Sequence, residues 1–149
     1  MKRSKYFLLM ITLISILLIT ACQATPTLAS TPSVSGAGTV IKVEGGSYSN
    51  LSVTELQNAM SKKDFLLVNV HIPFEGNLPK TDLSIAYDTI GQNLSKLPAD
   101  KNAKILLYCR SGRMSTIAAT ELVKLGYTNI LNLDGGMAAW ELAGQPIEK

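Results

Sequence analysis

Ile105-Leu-Leu-Tyr-Cys109-Arg-Ser-Gly-Arg-Met-Ser115 is an apolar run ending in a thiol, followed by a short polar turn and then by an amphipathic stretch. The first part reads as a buried strand, Ala103 to Tyr108, and the last as a helix from Ser115 to Leu125, with Ala118, Leu122 and Leu125 on one face and Gly126 as its stop. In strand-turn-helix units of this kind, function gathers where the strand's carboxyl end meets the helix. The thiol of Cys109 stands at that point, facing the unpaired N–H groups and the positive dipole end of the helix. Those donors favour an anion at the sulfur. Gly112 lets the backbone curl, and Arg110 and Arg113 add positive charge on either side.

The same alternation extends outward. Asp64 to Val70 and Asn129 to Leu133 are further apolar, branched runs that read as buried strands, and Ser84 to Tyr87 is a weaker one. Helical spacing appears from Ser52 to Met60, from Asp88 to Leu97 ahead of Pro98, and from Met137 to Leu142 around Trp140. Strands alternating with helices in this way predict an α/β domain with an open, mostly parallel sheet and helices on both faces. Trp140 and Tyr108 read as core, Gly135-Gly136 as a turn that brings the last helix close to the sheet, and Asp82 and Asp88 as solvated or capping residues.

The chain has 149 residues, room for one such domain plus extensions. With 46% hydrophobic and 17% charged residues it is too apolar for a disordered chain. Three of its 14 basic residues, Lys2, Arg3 and Lys5, sit at the extreme N-terminus, and without them 11 basic side chains face 11 acidic ones. A near-neutral domain without a basic, aromatic-laced stripe is not built for a phosphate backbone, so nucleic acid is excluded as a partner.

Lys2, Arg3 and Lys5 precede Tyr6 to Ala21, an uncharged apolar run, which is the layout of an export signal. It closes on Ile19-Thr-Ala-Cys22, similar to the lipobox of bacterial lipoproteins. That resemblance implies a signal peptide over 1–21, lipidation of Cys22, and a domain anchored to a bacterial membrane outside the cytoplasm. The alternative is an uncut membrane anchor in which Cys22 is incidental, and both readings tether the domain to a bilayer. Residues 22–47 are rich in Ala, Thr, Pro, Ser and Gly and read as a flexible linker without secondary structure, with a mean reach of about 25–30 Å. If Cys22 carries lipid, Cys109 is a lone thiol in an oxidising compartment, kept either buried and inert or for its chemistry.

The Cys109-Arg-Ser-Gly-Arg-Met-Ser115 loop, with Ala118-Ala119, Leu125-Gly-Tyr-Thr-Asn-Ile130 and Leu133-Asp-Gly-Gly-Met-Ala-Ala-Trp140, resembles the single-domain rhodanese family from about Ser52 to the C-terminus, which implies a rhodanese-like α/β domain over 48–149 with an open, mostly parallel, five-stranded sheet. The resemblance implies a sulfurtransferase: the cysteine takes sulfane sulfur from a small anionic donor such as thiosulfate, holds it as a persulfide, and yields it to a thiol or cyanide-like acceptor, including a partner protein's thiol. By the same resemblance Cys109 is the nucleophile, and Arg110, Ser111, Gly112, Arg113, Met114 and Ser115 bind the substrate, the two arginines guiding the anion. Related phosphatases carry Cys-x5-Arg, and Ser115 occupies that Arg position here, which argues against them. No metal-ligand spacing and no phosphate-binding glycine motif occurs, so neither metal nor cofactor is expected.

One segment departs from the family pattern. Where the second strand commonly ends in Asp-x-Arg, this chain has Asn69-Val-His71-Ile-Pro-Phe-Glu75. The Arg–acid contact usual at that corner is expected to be replaced by His71 with Glu75, or His71 to turn toward the active-site mouth. The departure keeps a second class of function open: a docking or redox-relay module that engages a partner's thiol or persulfide with little turnover of its own.

Overall fold

The computed structural model describes residues 38–149. The segment expected to be a signal peptide, Cys22 and most of the expected linker lie outside the described residues. Six strands form one sheet: β1 (Thr39–Val43), β2 (Gly46–Leu51), β3 (Leu66–Asn69), β4 (Leu83–Ser84), β5 (Ile105–Tyr108) and β6 (Ile130–Leu133). Three α-helices accompany them, α1 (Val53–Met60), α2 (Arg113–Lys124) and α3 (Gly136–Leu142). The sheet order is β1-β2-β6-β5-β3-β4, antiparallel only at the β1–β2 hairpin. The mostly parallel α/β architecture expected above is therefore present, with six strands rather than five.

The extra strand corrects the linker boundary. β1 falls within 22–47 and pairs with β2 from Thr39 opposite Asn50 to Val43 opposite Gly46. It is an edge strand, largely exposed, so it lacks the continuous apolar run by which the buried strands announce themselves. A second correction concerns 88–97, where two short 3₁₀ turns, Ile90–Gln92 and Leu94–Lys96, replace the expected helix. Ile90 is the only fully buried side chain of those turns, too little apolar face to hold an α-helix against the sheet.

Pleat alternation along β5 divides the core. Ile105, Leu107 and Cys109 face one hydrophobic layer with Ala118, Leu122 and Ile90, while Leu106 and Tyr108 face the other with Leu56, Met137 and Trp140. β5 is buried along its whole length, consistent with a central parallel strand covered on both faces. α1 starts on a capping box, with Ser52 and Glu55 exchanging backbone and side-chain hydrogen bonds. Asp82 is exposed, as read from the sequence, but it is also engaged: it accepts from the Leu67 N–H at 2.7 Å and pairs with Lys63, fixing the edge where β4 joins β3.

Candidate active site

Cys109 lies immediately past the C-terminal end of β5 and is 1% exposed. Its Sγ accepts the Gly112 N–H at 3.1 Å and lies 3.5 Å from the Ser115 hydroxyl, which also reaches the Gly112 carbonyl at 3.0 Å. Gly112 is the N-cap of α2 with φ +92, a left-handed conformation natural to glycine, so the chain turns back over the sulfur before the helix begins. The thiol thus sits under the first turn of a twelve-residue helix, where unpaired N–H groups and the dipole favour negative charge.

A second helix holds the loop from below. Met137 and Ala138 donate their N–H groups to the Cys109 and Arg110 carbonyls, both at 2.9 Å. For this to happen α3 must begin almost in contact with the loop, and a Cβ on Gly136 would stand 2.2 Å from the Cys109 oxygen. The Gly135-Gly136 pair read from the sequence as a close-approach turn therefore serves the thiol loop itself.

The loop residues differ in what they are free to do. Arg113, at the first position of α2, is exposed and holds no ion pair among the described residues. Ser111 is also exposed, while Met114 is partly buried and packs on the core. Arg110 is occupied: its guanidinium pairs with Glu141 of α3 and lies 3.5 Å, through Nε, from Glu75. The other oxygen of Glu75 lies 3.3 Å from His71 Nε2, so His71 and Glu75 do approach as the sequence suggested. The approach lacks hydrogen-bond geometry, and both ring nitrogens of His71 are buried without a hydrogen-bond partner among the described residues.

Two groups that organise the site escaped the sequence reading. Glu141 is 31 residues from Arg110, and no local spacing links them. Asn69 is buried at the end of β3, where its Oδ1 accepts the His71 N–H at 2.9 Å and its Nδ2 donates to the Gly76 carbonyl at 2.9 Å. It spans the corner that carries His71 and Glu75; its one signal was the departure from Asp at that position.

With this geometry in place, comparison with known proteins is decisive at the family level. Residues 52–143 match the rhodanese-like domain family. The chain belongs to that family. Among rhodanese-like relatives, a sulfurtransferase of Allochromatium vinosum is 36% identical over 94 residues, covering 61% of this chain and 85% of the relative. The thiosulfate sulfurtransferase GlpE of Vibrio cholerae is 29% identical over 103 residues, covering 68% and 95%. A rhodanese-like domain protein from Staphylococcus aureus superposes with a TM-score of 0.55 at 29% identity, over 67% of this chain and 98% of that one.

Proposed function

We propose that this protein is an extracytoplasmic, membrane-tethered sulfurtransferase that works through a persulfide on Cys109. The observation that carries the reading is the Cys109 sulfur itself, held at the start of α2 with the Gly112 N–H at 3.1 Å. The thiolate is the reactive form of cysteine, and a donor aimed at the sulfur holds negative charge there. In the first half-reaction the thiolate attacks the outer sulfur of thiosulfate. A Cys109 Sγ–S bond forms, and the donor's S–S bond breaks with its electron pair leaving as sulfite. In the second, cyanide or an acceptor thiolate attacks the outer sulfur and Cys109 returns as thiolate. Arg113, exposed and without an ion pair among the described residues, attracts the donor, and the backbone N–H groups from Arg110 to Ser115 surround the transferred sulfur.

The sulfurtransferase relatives support sulfur transfer, and the relative named for thiosulfate supports that donor. Membrane tethering rests on the basic and apolar N-terminal run and the lipobox-like Cys22. A permanent anchor requires more than one acyl chain, which a lipidated and N-acylated cysteine supplies. The docking-module reading draws its support from Arg110, whose charge is taken up by Glu75 and Glu141. Turnover separates the two. Thiocyanate production from thiosulfate and cyanide is expected from the full chain and not from Cys109→Ser; turnover retained in that variant contradicts the reading.

A further inference from the structure

His71 is the one histidine in the chain and is unused by the steps above. Its side chain is 8% exposed, and neither ring nitrogen has a hydrogen-bond partner among the described residues. An imidazole carries at least one N–H in either charge state, and a buried donor left unpaired is a destabilising element. The carboxylate beside it is Glu75, with Oε1 3.3 Å from Nε2, and Oε2 of the same group lies 3.5 Å from Arg110 Nε. Glu75 is therefore shared between a ring that can change charge and the residue next to Cys109.

The other ionisable groups around the corner come from each neighbouring element. Arg110 and Cys109 are on the loop after β5, which lies alongside β3; Glu141 on α3 holds the far side of Arg110. Lys149 lines the same cleft as Glu75, Arg110 and Glu141, and Tyr87 follows β4 with its N–H on the Val70 carbonyl.

We infer that His71 is a positioning residue for the anionic sulfur donor, acting through Glu75 on Arg110; this rests on the sulfurtransferase reading of the same site. When the ring takes a proton, its Nε2–H gains Glu75 Oε1 as a charged acceptor. Glu75 then loosens its hold on Arg110, and the mouth becomes more positive. When the ring is neutral, Glu75 stays with Arg110 and the guanidinium is tied down between two acids. Histidine is the side chain whose charge changes most readily near neutral pH, so capture of an anionic donor follows the charge of this ring.

The full chain offers a clean test, because every imidazole signal in a ¹H–¹⁵N titration comes from His71. When the ring takes a proton, the Arg110 Nε–H signal is expected to move with it. In Glu75→Gln Arg110 should cease to follow the ring's charge. In parallel, the KM for thiosulfate should fall about two- to fivefold as pH drops through the ring's titration, the scale of a half-exposed ion pair. His71→Gln should remove that dependence, and His71→Arg, a permanent charge, should hold the low KM at every pH. A ring that stays neutral throughout, or titrates without moving Arg110, overturns the inference whether or not sulfur is transferred. A pH-dependent KM that survives in His71→Gln overturns it too, assigning the slope to another group. If the coupling is seen by NMR while no persulfide forms, the latch stands and the sulfurtransferase reading falls.

Discussion

Gly136→Ala tests whether the thiol loop is held by the start of α3. The added Cβ would stand 2.2 Å from the Cys109 oxygen, 2.9 Å from the Arg110 carbonyl carbon and 3.0 Å from its oxygen, all backbone atoms that cannot swing aside. At φ +58 the alanine also sits in the left-handed region, at a cost of about 1–2 kcal/mol. The clash is relieved only by moving the loop off α3, which weakens the two 2.9 Å bonds from Met137 and Ala138, each worth about 0.5–1.5 kcal/mol. Restricting the unfolded chain returns about 0.4–1 kcal/mol. The net expectation is a loss of about 2–4 kcal/mol, which lowers Tm by about 8–16 °C for a domain of this size. Gly126→Ala is the matched control: φ is +89 but nothing lies within 4 Å of the new Cβ, so strain acts alone, about 0.5–1.5 kcal/mol after the same offset. Thermal unfolding of both variants, read with the rate of sulfur loading at a temperature where both are folded, separates strain from clash. The account requires Gly136→Ala to be the less stable by at least about 1 kcal/mol and to load sulfur more slowly. Equal Tm values with unaltered loading would refute it.

Arg113→Ala should raise the KM for thiosulfate about two- to fivefold and leave kcat in place, as loss of an exposed charge that binds ground and transition states alike; steady-state kinetics at two ionic strengths checks this, with the difference shrinking at high salt. Tyr108→Phe should cost about 1–3 kcal/mol in urea unfolding, because the hydroxyl is the acceptor for the Leu78 N–H at 3.0 Å and its loss leaves that buried donor unpaired. For Asp82, burial raises the carboxyl's pKa, but the Leu67 N–H and Lys63 outweigh it and hold the group below its ordinary value. Its contribution is therefore present above the unfolded-state pKa of about 3.9 and lost as pH falls through the lower folded value. Asp82→Asn should accordingly flatten the acid limb of a stability-against-pH curve below about pH 4, while leaving the neutral-pH slope unchanged.

The parts of the fold that were legible in the sequence are those whose environment is uniform. β5 is buried on both faces and reads as an unbroken apolar run; α2 keeps one apolar stripe and stops at Gly126. The Cys109 loop joins them and was legible for the same reason. β1 was not, because an exposed edge strand built from Thr39-Val-Ile-Lys-Val43 looks like a continuation of the Ser/Thr/Gly-rich stretch before it, and its pairing with β2 is backbone chemistry that composition does not express. The 88–97 segment showed helical spacing without enough buried surface to enforce a helix. At the site, the thiol and its donors lie within seven consecutive residues, whereas the fate of Arg110 depends on Glu75 and Glu141, carried by a different corner and a different helix. A sequence places two arginines beside a cysteine; only the tertiary structure distinguishes exposed Arg113 from Arg110, clamped between two acids.

The most direct test of the central claim is the intact mass of the full chain before and after incubation with thiosulfate, alongside Cys109→Ser. The account predicts a gain of one sulfur atom in the native chain, removed by cyanide or a thiol and absent from the variant although Cys22 is still present. A folded native chain that gains nothing, or a variant that gains the same mass, would contradict it.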